Sequence, residues 1–325
     1  MPGHKKWEYM KISDMPLITV VTVTYRRLDK IYDCILSVLN QDYQNIEYII
    51  SDDGSPNFAY EEIDDFINKH KKTNLKNYRI LTHDQNVGTV RNINGAYKKA
   101  QGEYILNVSG DDVLYADDVV SRIVDRVNLC DPKVMAIARI AIDDNGRKLY
   151  YLPHSSYNKK ISSYDRKKQF EKYTSGQYYA MFSGSALVYK KSFIMEMNYF
   201  DEQYKLWEDG PFVGRTLQLY KIETAYDIVG IMYSTDGVSG GCNPVLQSDV
   251  DKYNSTDRRN NAQKLGLFYR SLSLYNIRNV ELNYRERLTY TVMLLPIMIY
   301  KTVYKFSYWI TEKIDKWHLQ KGGGN

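Results

Sequence analysis

The sequence predicts an α/β fold in which a mostly parallel central sheet has helices on both faces and is followed by a carboxyl-terminal helical extension. Strand-like and helix-like patterns alternate through residues 17–129, which is typical of a parallel sheet. The opening run LITVVTVT is rich in β-branched residues, as strands are. Pairs of acidic residues follow several predicted strands, at the sheet edge where such folds bind their ligands.

The elements of the first half follow from these patterns in order. Apolar and β-branched runs predict strands at 17–24, 46–50, 78–81 and 103–108. Apolar residues at helical spacing predict helices at 28–39, 61–70, 89–100 and 117–129. Since the carboxyl ends of parallel strands meet at one edge, Thr24-Tyr25, Asp52-Asp53 and Asp111-Asp112 are expected to line a single crevice.

The pattern changes after Pro132. Strands at 134–142 and 147–152 flank Asp144-Asn145-Gly146, a hairpin turn signal. The polar stretch 153–177 is long for a structureless loop, so we expect it to be partly helical or a mobile flap. A strand at 182–189, a helix at 211–220, a strand at 225–233 and a loop at 237–248 complete this half.

Composition excludes several classes of protein. With 325 residues, 43% hydrophobic and 26% charged, the chain is long enough and apolar enough for a globular core. The net charge of +5 is too small to indicate nucleic acid as the main partner. The three cysteines are widely spaced, which gives neither a disulfide framework nor a zinc site. The first residues lack the apolar core of a signal peptide, so a cytoplasmic location is expected.

Three acidic clusters indicate the chemistry of the protein: Asp52-Asp53, Asp111-Asp112 and Glu208-Asp209. Adjacent carboxylates repel one another and lose hydration when buried, so they usually hold something positive, most often a divalent cation with oxygen ligands. The clusters therefore indicate an enzyme that handles a metal-bound diphosphate.

The order of motifs resembles the inverting, nucleotide-sugar-dependent glycosyltransferases of family 2, which have the GT-A fold. The resemblance covers about residues 16–239. Its pieces are Thr24-Tyr25-Arg26-Arg27, Ser51-Asp52-Asp53-Gly54-Ser55, Asn86-Val87-Gly88 with Arg91-Asn92, Gly102-Glu103-Tyr104-Ile105, Ser109-Gly110-Asp111-Asp112 and Leu206-Trp207-Glu208-Asp209. Each motif alone is weak, but six in this order are specific.

The resemblance implies a donor site in the first half. Its expected residues are Thr24, Tyr25, Arg27, Asp53, Arg91, Ser109, Asp111 and Asp112. Tyr25 would border the nucleobase, and Asp53 would accept a hydrogen bond from it. Asp111 and Asp112 would hold Mn²⁺ or Mg²⁺, although Ser109 replaces the first carboxylate of the family's usual Asp-x-Asp pattern.

Each of these residues also has a purely structural interpretation. Asp52-Asp53-Gly54 could form an ordinary turn, because Asp-Gly favours turns. Arg91 could be an exposed helix residue, and Asp111-Asp112 could belong to a helix N-cap.

The resemblance also implies the catalytic residues. Asp209 would be the general base that deprotonates the acceptor hydroxyl, and Glu208 would orient Asp209 or the acceptor. Carboxylates at a helix start are the structural alternative, since the helix dipole favours them. Ser183, Gly184 and Trp207 are weaker candidates for acceptor contacts.

The segment 233–239 departs from the family, because it carries neither the Arg nor the His found there in many relatives. Asp236 could replace them as a ligand, although an Asp before Gly237 is typical of a turn.

Three interpretations remain open for the carboxyl-terminal segment. Residues 290–300 are apolar but too few to span a bilayer, and aromatic and basic residues follow at helical spacing. An in-plane helix at an anionic membrane surface, a helix packed on the catalytic domain and a dimer interface all agree with this pattern. We predict a catalytic domain at 1–245, with a donor half at 16–130 and an acceptor half at 131–245, and a helical extension at 246–325.

The leading hypothesis is a cytoplasmic enzyme that passes a sugar, most plausibly from a UDP-sugar, to a glycan or lipid-linked glycan. By analogy with the family, it would act in synthesis of a bacterial capsule or exopolysaccharide. A sugar-phosphate nucleotidyltransferase is disfavoured because the turn after the first strand has no glycine. A catalytically degenerate scaffold protein remains the alternative from a different class.

Overall fold

The computed structural model describes residues 15–143, 146–177, 181–235 and 243–321. Its first half alternates strands and helices as the sequence predicts. The strands are β1 (Ile18–Thr24), β2 (Ile46–Asp52), β3 (Leu75–Thr82), β4 (Tyr104–Ser109) and the two-residue β5 (Val113–Leu114). The helices are α1 (Ile31–Leu39), α2 (Tyr60–His70), α3 (Thr89–Lys99) and α4 (Val119–Cys130). The predicted α/β class is confirmed.

The first four strands are parallel and bring their carboxyl ends to one edge. Within the described residues they take the order β3-β2-β1-β4 in a nine-stranded sheet. Thr24 pairs with Asp52 on one side of β1, and Val23 pairs with Ser109 on the other. This register places the turns that follow β1, β2 and β4 side by side, as the sequence predicts.

The second half of the sheet is mixed, so the parallel arrangement does not extend across it. Its strands are β6 (Val134–Ile142), β7 (Lys148–Leu152), β8 (Leu187–Lys190) and β9 (Glu223–Ser234). Strand β8 lies antiparallel between β4 and β6, whereas β6 and β9 are parallel. Strands β6 and β7 form the predicted antiparallel hairpin, of which residues 144–145 lie outside the described part of the chain.

Helices cover both faces of the sheet. On one face, apolar residues of α1, α2 and α4 pack on the strands. The other face carries α3 together with α5 (Ser155–Ser162), α6 (Arg166–Thr174), α7 (Lys191–Glu196) and α8 (Asp209–Leu219). The polar stretch after Pro153 is therefore largely helical. Asp165 caps α6 by accepting the backbone N–H of Lys168 at 2.7 Å.

The chain continues as a helical extension, in agreement with the sequence. It contains α9 (Pro244–Tyr253), a π-helical turn (Asn254–Arg258), α10 (Arg259–Ala262), α11 (Leu267–Asn276), α12 (Tyr284–Val292) and α13 (Leu294–Lys321). One side of α13 packs on the α/β part of the chain, where the buried Asp315 contacts His154 at 3.0 Å and Ser307 contacts Tyr157 at 2.6 Å. Among the described residues, no helix combines the length and the apolar character needed to cross a bilayer.

Candidate active site

The turns that follow β1 and β2 are joined by backbone hydrogen bonds. The N–H of Asp53 donates to the Thr24 carbonyl at 2.9 Å, and the N–H of Arg26 donates to Ser55 Oγ at 2.7 Å. Arg26 adopts a left-handed φ of 62°, and its guanidinium lies 5.0 Å from the centre of the Tyr25 ring. The turn that carries Tyr25 is thus held against the acidic turn.

Asp52 and Asp53 have different surroundings. Asp52 accepts hydrogen bonds from the backbone N–H of Ser55 at 2.7 Å and from its hydroxyl at 2.6 Å. These contacts agree with the interpretation of residues 52–54 as an ordinary turn. Asp53 accepts hydrogen bonds from the side chain of Asn86 at 2.8 Å and the N–H groups of Val87 at 2.7 Å and Gly88 at 3.0 Å. Burial raises the pKa of Asp53, and the two N–H groups oppose the shift. Asp53 therefore fixes the turn formed by residues 86–88, which we call the donor turn.

Asp111 and Asp112 follow β4 at the same edge. A Cβ on Gly110 would lie 2.9 Å from Thr24 Cβ, so this close approach requires glycine. Asp111 Oδ2 lies 3.9 Å from Arg27 Nη1 and is partly exposed. Asp112 is buried, and its N–H donates to the Ser109 carbonyl at 3.0 Å. Burial, together with the charge of Asp111, raises the pKa of Asp112 to about 8.

The acidic pair after β4 fits a divalent cation. Carboxylate oxygens are the ligands that Mg²⁺ and Mn²⁺ prefer, and the raised pKa of Asp112 shows negative charge that lacks full compensation by the protein. No group of three or more Asp, Glu, His or Cys side chains suited to a metal occurs in the part of the chain that the structure describes. A cation here would therefore take its remaining ligands from water and substrate.

Glu208 and Asp209 lie at the start of α8. Asp209 Oδ2 accepts the N–H of Gly184 at 2.6 Å. Burial raises the pKa of Asp209, while the Gly184 N–H and Arg139 oppose the shift. Burial and the neighbouring Asp209 raise the pKa of Glu208 to about 8. Because the two carboxyl groups interact, the pair holds a proton near neutral pH, with the negative charge favoured on Asp209.

Arg139 is a basic residue whose charge influences both acidic pairs. It is the single charged residue of β6, and it lowers the pKa of both Asp112 and Asp209 by its positive charge. Its guanidinium lies 4.4 Å from the centre of the Tyr233 ring. Both pairs are therefore close enough to Arg139 to feel its charge. The sequence analysis missed Arg139, although a lone charge in an otherwise apolar strand is a signal that could have found it.

The remaining candidates have mainly structural contacts. Arg91 is exposed on α3, and its Nε lies 3.6 Å from Glu202. Trp207 packs over Gly210, and its ring lies 5.2 Å from that of Tyr253. The Ser183 carbonyl accepts the N–H of Ala186 at 2.8 Å within a 3₁₀ turn.

Gly184 lies directly against the acidic pair. A Cβ there would lie 2.6 Å from Glu208 Oε1, so a larger residue would displace the Glu208 side chain. Of the segment 233–239, residues 236–239 lie outside the described part of the chain, Asp236 among them.

Comparison with known sequences identifies a family match. The description "Glycosyl transferase family 2" fits residues 19–196. Over 100 residues the chain is 36% identical to the UDP-Glc:alpha-D-GlcNAc-diphosphoundecaprenol beta-1,3-glucosyltransferase WfaP of Escherichia coli, a match that covers 30% of this chain and 36% of WfaP. For two further curated relatives the match spans 40% and 43% of their length. The chain thus spans well under two thirds of these proteins.

Solved structures with a similar fold include a mannosyltransferase and a protein bound to a nucleotide-sugar. TarS 1-349 of S. aureus in complex with UDP-GlcNAc superimposes with a TM-score of 0.54 at 18% identity, covering 80% of this chain and 79% of TarS 1-349. The mannosyltransferase PcManGT of Pyrobaculum calidifontis, in complex with GDP-Man and Mn²⁺, gives a TM-score of 0.53 at 15% identity, covering 96% and 92%. At these identities the likeness shows the fold, which is GT-A-like.

Proposed function

The chain belongs to glycosyl transferase family 2, and from that membership we propose that it is a metal-dependent, inverting glycosyltransferase of bacterial polysaccharide synthesis. The observation that supports this proposal is that the charge of Arg139 reaches one member of each of two acidic pairs, Asp111-Asp112 and Glu208-Asp209. One pair suits a cation-bound diphosphate, and the other suits an acceptor hydroxyl. A sugar held between them would be next to both its leaving group and its nucleophile.

The donor side would be organised by the turns after β1, β2 and β4. Asp111 and Asp112 would hold Mn²⁺ or Mg²⁺, which when bound stabilises negative charge on the leaving diphosphate. Arg27, beside Asp111, is placed to interact with a phosphate oxygen. Tyr25 would offer its ring to the nucleobase.

The acceptor side would depend on Asp209. The Gly184 N–H fixes one oxygen of its carboxylate, and Arg139 favours its ionised form. Asp209 would take the proton of an acceptor hydroxyl while that oxygen bonds to the anomeric carbon. The bond from the anomeric carbon to the diphosphate oxygen breaks in the same step, and its electron pair leaves with the nucleoside diphosphate. A single displacement of this kind inverts the anomeric configuration.

A UDP-sugar is the proposed donor. WfaP is named for a UDP-sugar, and TarS was solved with UDP-GlcNAc, whereas PcManGT was solved with GDP-Man. Asp53 Oδ1 accepts a hydrogen bond from Val87, and a carboxylate oxygen has two acceptor positions. The imide N–H of uracil could use the second position.

The outward side of α13 supports attachment to an anionic membrane surface at the cytoplasmic face. Apolar side chains recur there at helical spacing along 28 residues and are 37–69% exposed. They are Leu295, Met298, Ile299, Val303, Phe306, Trp309, Ile310, Ile314 and Trp317. Lys313 lies among them, with its Nζ 5.9 Å from the centre of the Trp309 ring, so positive charge accompanies this side where anionic headgroups would meet it. We propose that α13 lies in the membrane interface and that the acceptor is a lipid-linked glycan. A homodimer through the same side is the competing arrangement.

Measurement of UDP release tests the enzyme. The full-length protein with Mn²⁺ should release UDP from at least one of UDP-Glc, UDP-GlcNAc and UDP-Gal when a GlcNAc-diphospholipid acceptor is supplied. Asp209→Asn should lower kcat by roughly 100-fold and leave UDP–Mn²⁺ binding within about twofold, since it removes the base alone. Asp65→Asn, which changes an exposed carboxylate on α2, is the matched control.

The outcomes separate the alternatives. If the wild type releases UDP and Asp209→Asn does not, the result supports the glycosyltransferase assignment. Normal release by Asp209→Asn contradicts the assignment of the base. A wild-type protein that binds UDP and Mn²⁺ but transfers no sugar from UDP donors or GDP-Man would instead be a scaffold.

A further inference from the structure

The loop that precedes Glu208 is held by the helical extension. We call residues 203–207 the base loop, because they lead directly into the pair that contains Asp209. Lys252 Nζ donates to the Gln203 carbonyl at 3.1 Å, and the Tyr204 hydroxyl donates to Asp257 at 3.0 Å. Both partners lie beyond the end of the sheet. The base loop is therefore held by a part of the chain that contributes none of the proposed donor-binding residues.

Asp249 is the centre of this attachment. It lies on α9 and is only 6% exposed. Its Oδ2 accepts three successive backbone N–H groups, those of Lys205 at 2.9 Å, Leu206 at 2.7 Å and Trp207 at 3.2 Å. Three donors converging on one carboxylate oxygen fix the direction of the backbone just before Glu208, and hydrogen bonds to a charged acceptor are the stronger kind.

Tyr253, one turn further along α9, supports the same geometry. Its ring meets the edge of the Trp207 ring at 5.2 Å. Its hydroxyl touches Gly214 of α8 so closely that a Cβ there would clash. Helix α9 thus packs on both the base loop and the helix that begins with Asp209, which leaves the loop little freedom to shift.

The donor turn contacts the opposite side of the base loop. The Lys205 carbonyl accepts the N–H of Val90 at 3.2 Å, and a Cβ on Gly88 would lie 2.7 Å from the Lys205 side chain. Asp53 holds the donor turn through its own three hydrogen bonds, independently of Asp249. A change at Asp249 should therefore disturb the base more than the donor.

We propose that Asp249 is a positioning residue for Asp209: it fixes the base loop so that the carboxylate of Asp209 reaches the acceptor hydroxyl. This inference rests on the proposed glycosyl transfer, and it assigns the extension a part in the reaction. Asp249 acts through the backbone of residues 205–207 and does not itself touch substrate.

Loss of the Asp249 carboxylate leaves three N–H groups without their acceptor. Water or a relaxed backbone would satisfy them, and the loop would lose its single geometry. A shift of about 1 Å in a reacting group can lower the rate by about 100-fold. We therefore expect Asp249→Ala to lower kcat by about 30- to 100-fold. Asp249→Asn keeps an acceptor oxygen of the same size and should lower kcat by only about 3- to 10-fold.

Two variants and one control test this proposal with the full-length protein. Asp251→Ala is the matched control, because Asp251 is exposed on the same helix and bonds only to Gln247 among the described contacts. Turnover is measured with a UDP-sugar and Mn²⁺, and UDP–Mn²⁺ affinity is measured by calorimetry. The expected result is a loss of kcat in the order alanine, then asparagine, with donor KM and UDP affinity within about twofold of the wild type. Amide hydrogen exchange at residues 205–207 should rise in Asp249→Ala and stay unchanged in Asp251→Ala.

The pH dependence of kcat gives a readout that a general loss of stability would not move. The charged and titratable groups that face the pair are Glu208 and Asp209 themselves, Arg139 from β6, Tyr189 from β8 and Tyr97 from α3. A loosened loop would let water reach Asp209, which weakens the effect of burial and lowers the pKa of its carboxyl group. The acid limb of the profile should therefore move to lower pH in Asp249→Ala. Asp249→Asn removes the same charge, and the part of the shift that both variants share is electrostatic.

The outcomes distinguish the two proposals. Wild-type transfer with normal kcat in Asp249→Ala overturns the positioning role alone. Equal losses of kcat and UDP affinity overturn it as well, since they indicate general damage to the fold. Absence of transfer by the wild type overturns the proposed function, and the positioning role with it.

Discussion

At the scale of single residues, Arg139 is a basic side chain that influences both acidic pairs. Its charge opposes the effect of burial at Asp112 and at Asp209, which belong to different acidic pairs. Without a positive neighbour, buried carboxyl groups take up protons and cannot act as bases or cation ligands at neutral pH. The chemistry that we propose therefore depends on a residue that is neither base nor ligand.

Replacement of Arg139 should shift the pH dependence of turnover. Arg139 lowers the pKa of Asp209, so Arg139→Gln raises that pKa further, and the ionised base is lost at a higher pH. The acid limb should move up by about one pH unit, and kcat at pH 7 should fall by about 10-fold at saturating Mn²⁺. Arg139→Lys should recover part of the loss. Arg126→Gln, on the surface of α4, is the control, and a profile unchanged in Arg139→Gln would contradict this role.

Sequence reasoning found the acidic residues of the site but not their supports. Asp111 and Asp209 stand in recognisable local motifs, and the parallel register predicts that Asp53 and Asp111 share an edge. Arg139 and Asp249 reach the site only through packing between distant segments, for which the sequence carries no spacing rule. The hydrogen bonds between Asp53 and the donor turn were missed for the same reason, because their donors lie 33 to 35 residues further along the sequence.

At the scale of elements, α13 combines two sides with different roles. Its inner side carries Asp315 and Ser307, which contact His154 and Tyr157 of the α/β part of the chain, while its outer side is apolar. Periodicity predicted the helix, since apolar and basic residues recur at helical spacing. The sequence left packing, membrane contact and dimerisation open, and the structure confirms packing for the inner side. Short elements such as β5 escaped prediction because two residues show no period.

Vesicle sedimentation tests the outer side of α13. Wild-type protein should bind vesicles that contain about 30% anionic lipid, and binding should weaken as salt rises. Phe306→Glu combined with Trp309→Glu should reduce binding by 10-fold or more, because each side chain contributes about 1.5–3 kcal/mol when buried. Leu219→Glu changes an exposed apolar residue of α8 and should have no effect. If wild-type protein ignores vesicles and forms a dimer that the double variant dissociates, the homodimer is the correct arrangement.

At the scale of the whole molecule, the two halves of the sheet differ in direction. The parallel half follows from strand–helix alternation, and it was predicted correctly. The second half mixes directions because the short β8 returns between β4 and β6, and a four-residue strand carries no signal of its direction. The charge of Arg139 influences carboxyl groups from both halves, so the candidate site draws on the complete sheet.

Ligand binding should stabilise the complete fold. UDP with Mn²⁺ at about 100 times its dissociation constant contributes about 2.7 kcal/mol to the free energy of unfolding. The Tm should rise by about 4 °C in the wild type and return to the ligand-free value when a chelator removes the metal. Asp111→Ala should show less than half of this rise, whereas Asp209→Asn should show all of it. An equal rise in Asp111→Ala would place the cation elsewhere.

The attachment of the base loop to α9 has a consequence for how this protein can be shortened or recombined. A fragment that ends after β9 would contain every strand of the described residues and every proposed donor residue, yet it would lack Asp249 and Tyr253. Such a fragment could still recognise the nucleotide while losing transfer. A chimera that exchanges acceptor preference between relatives should, for the same reason, join the two sequences beyond residue 253. The base loop and the residues of α9 that hold it would then come from the same parent.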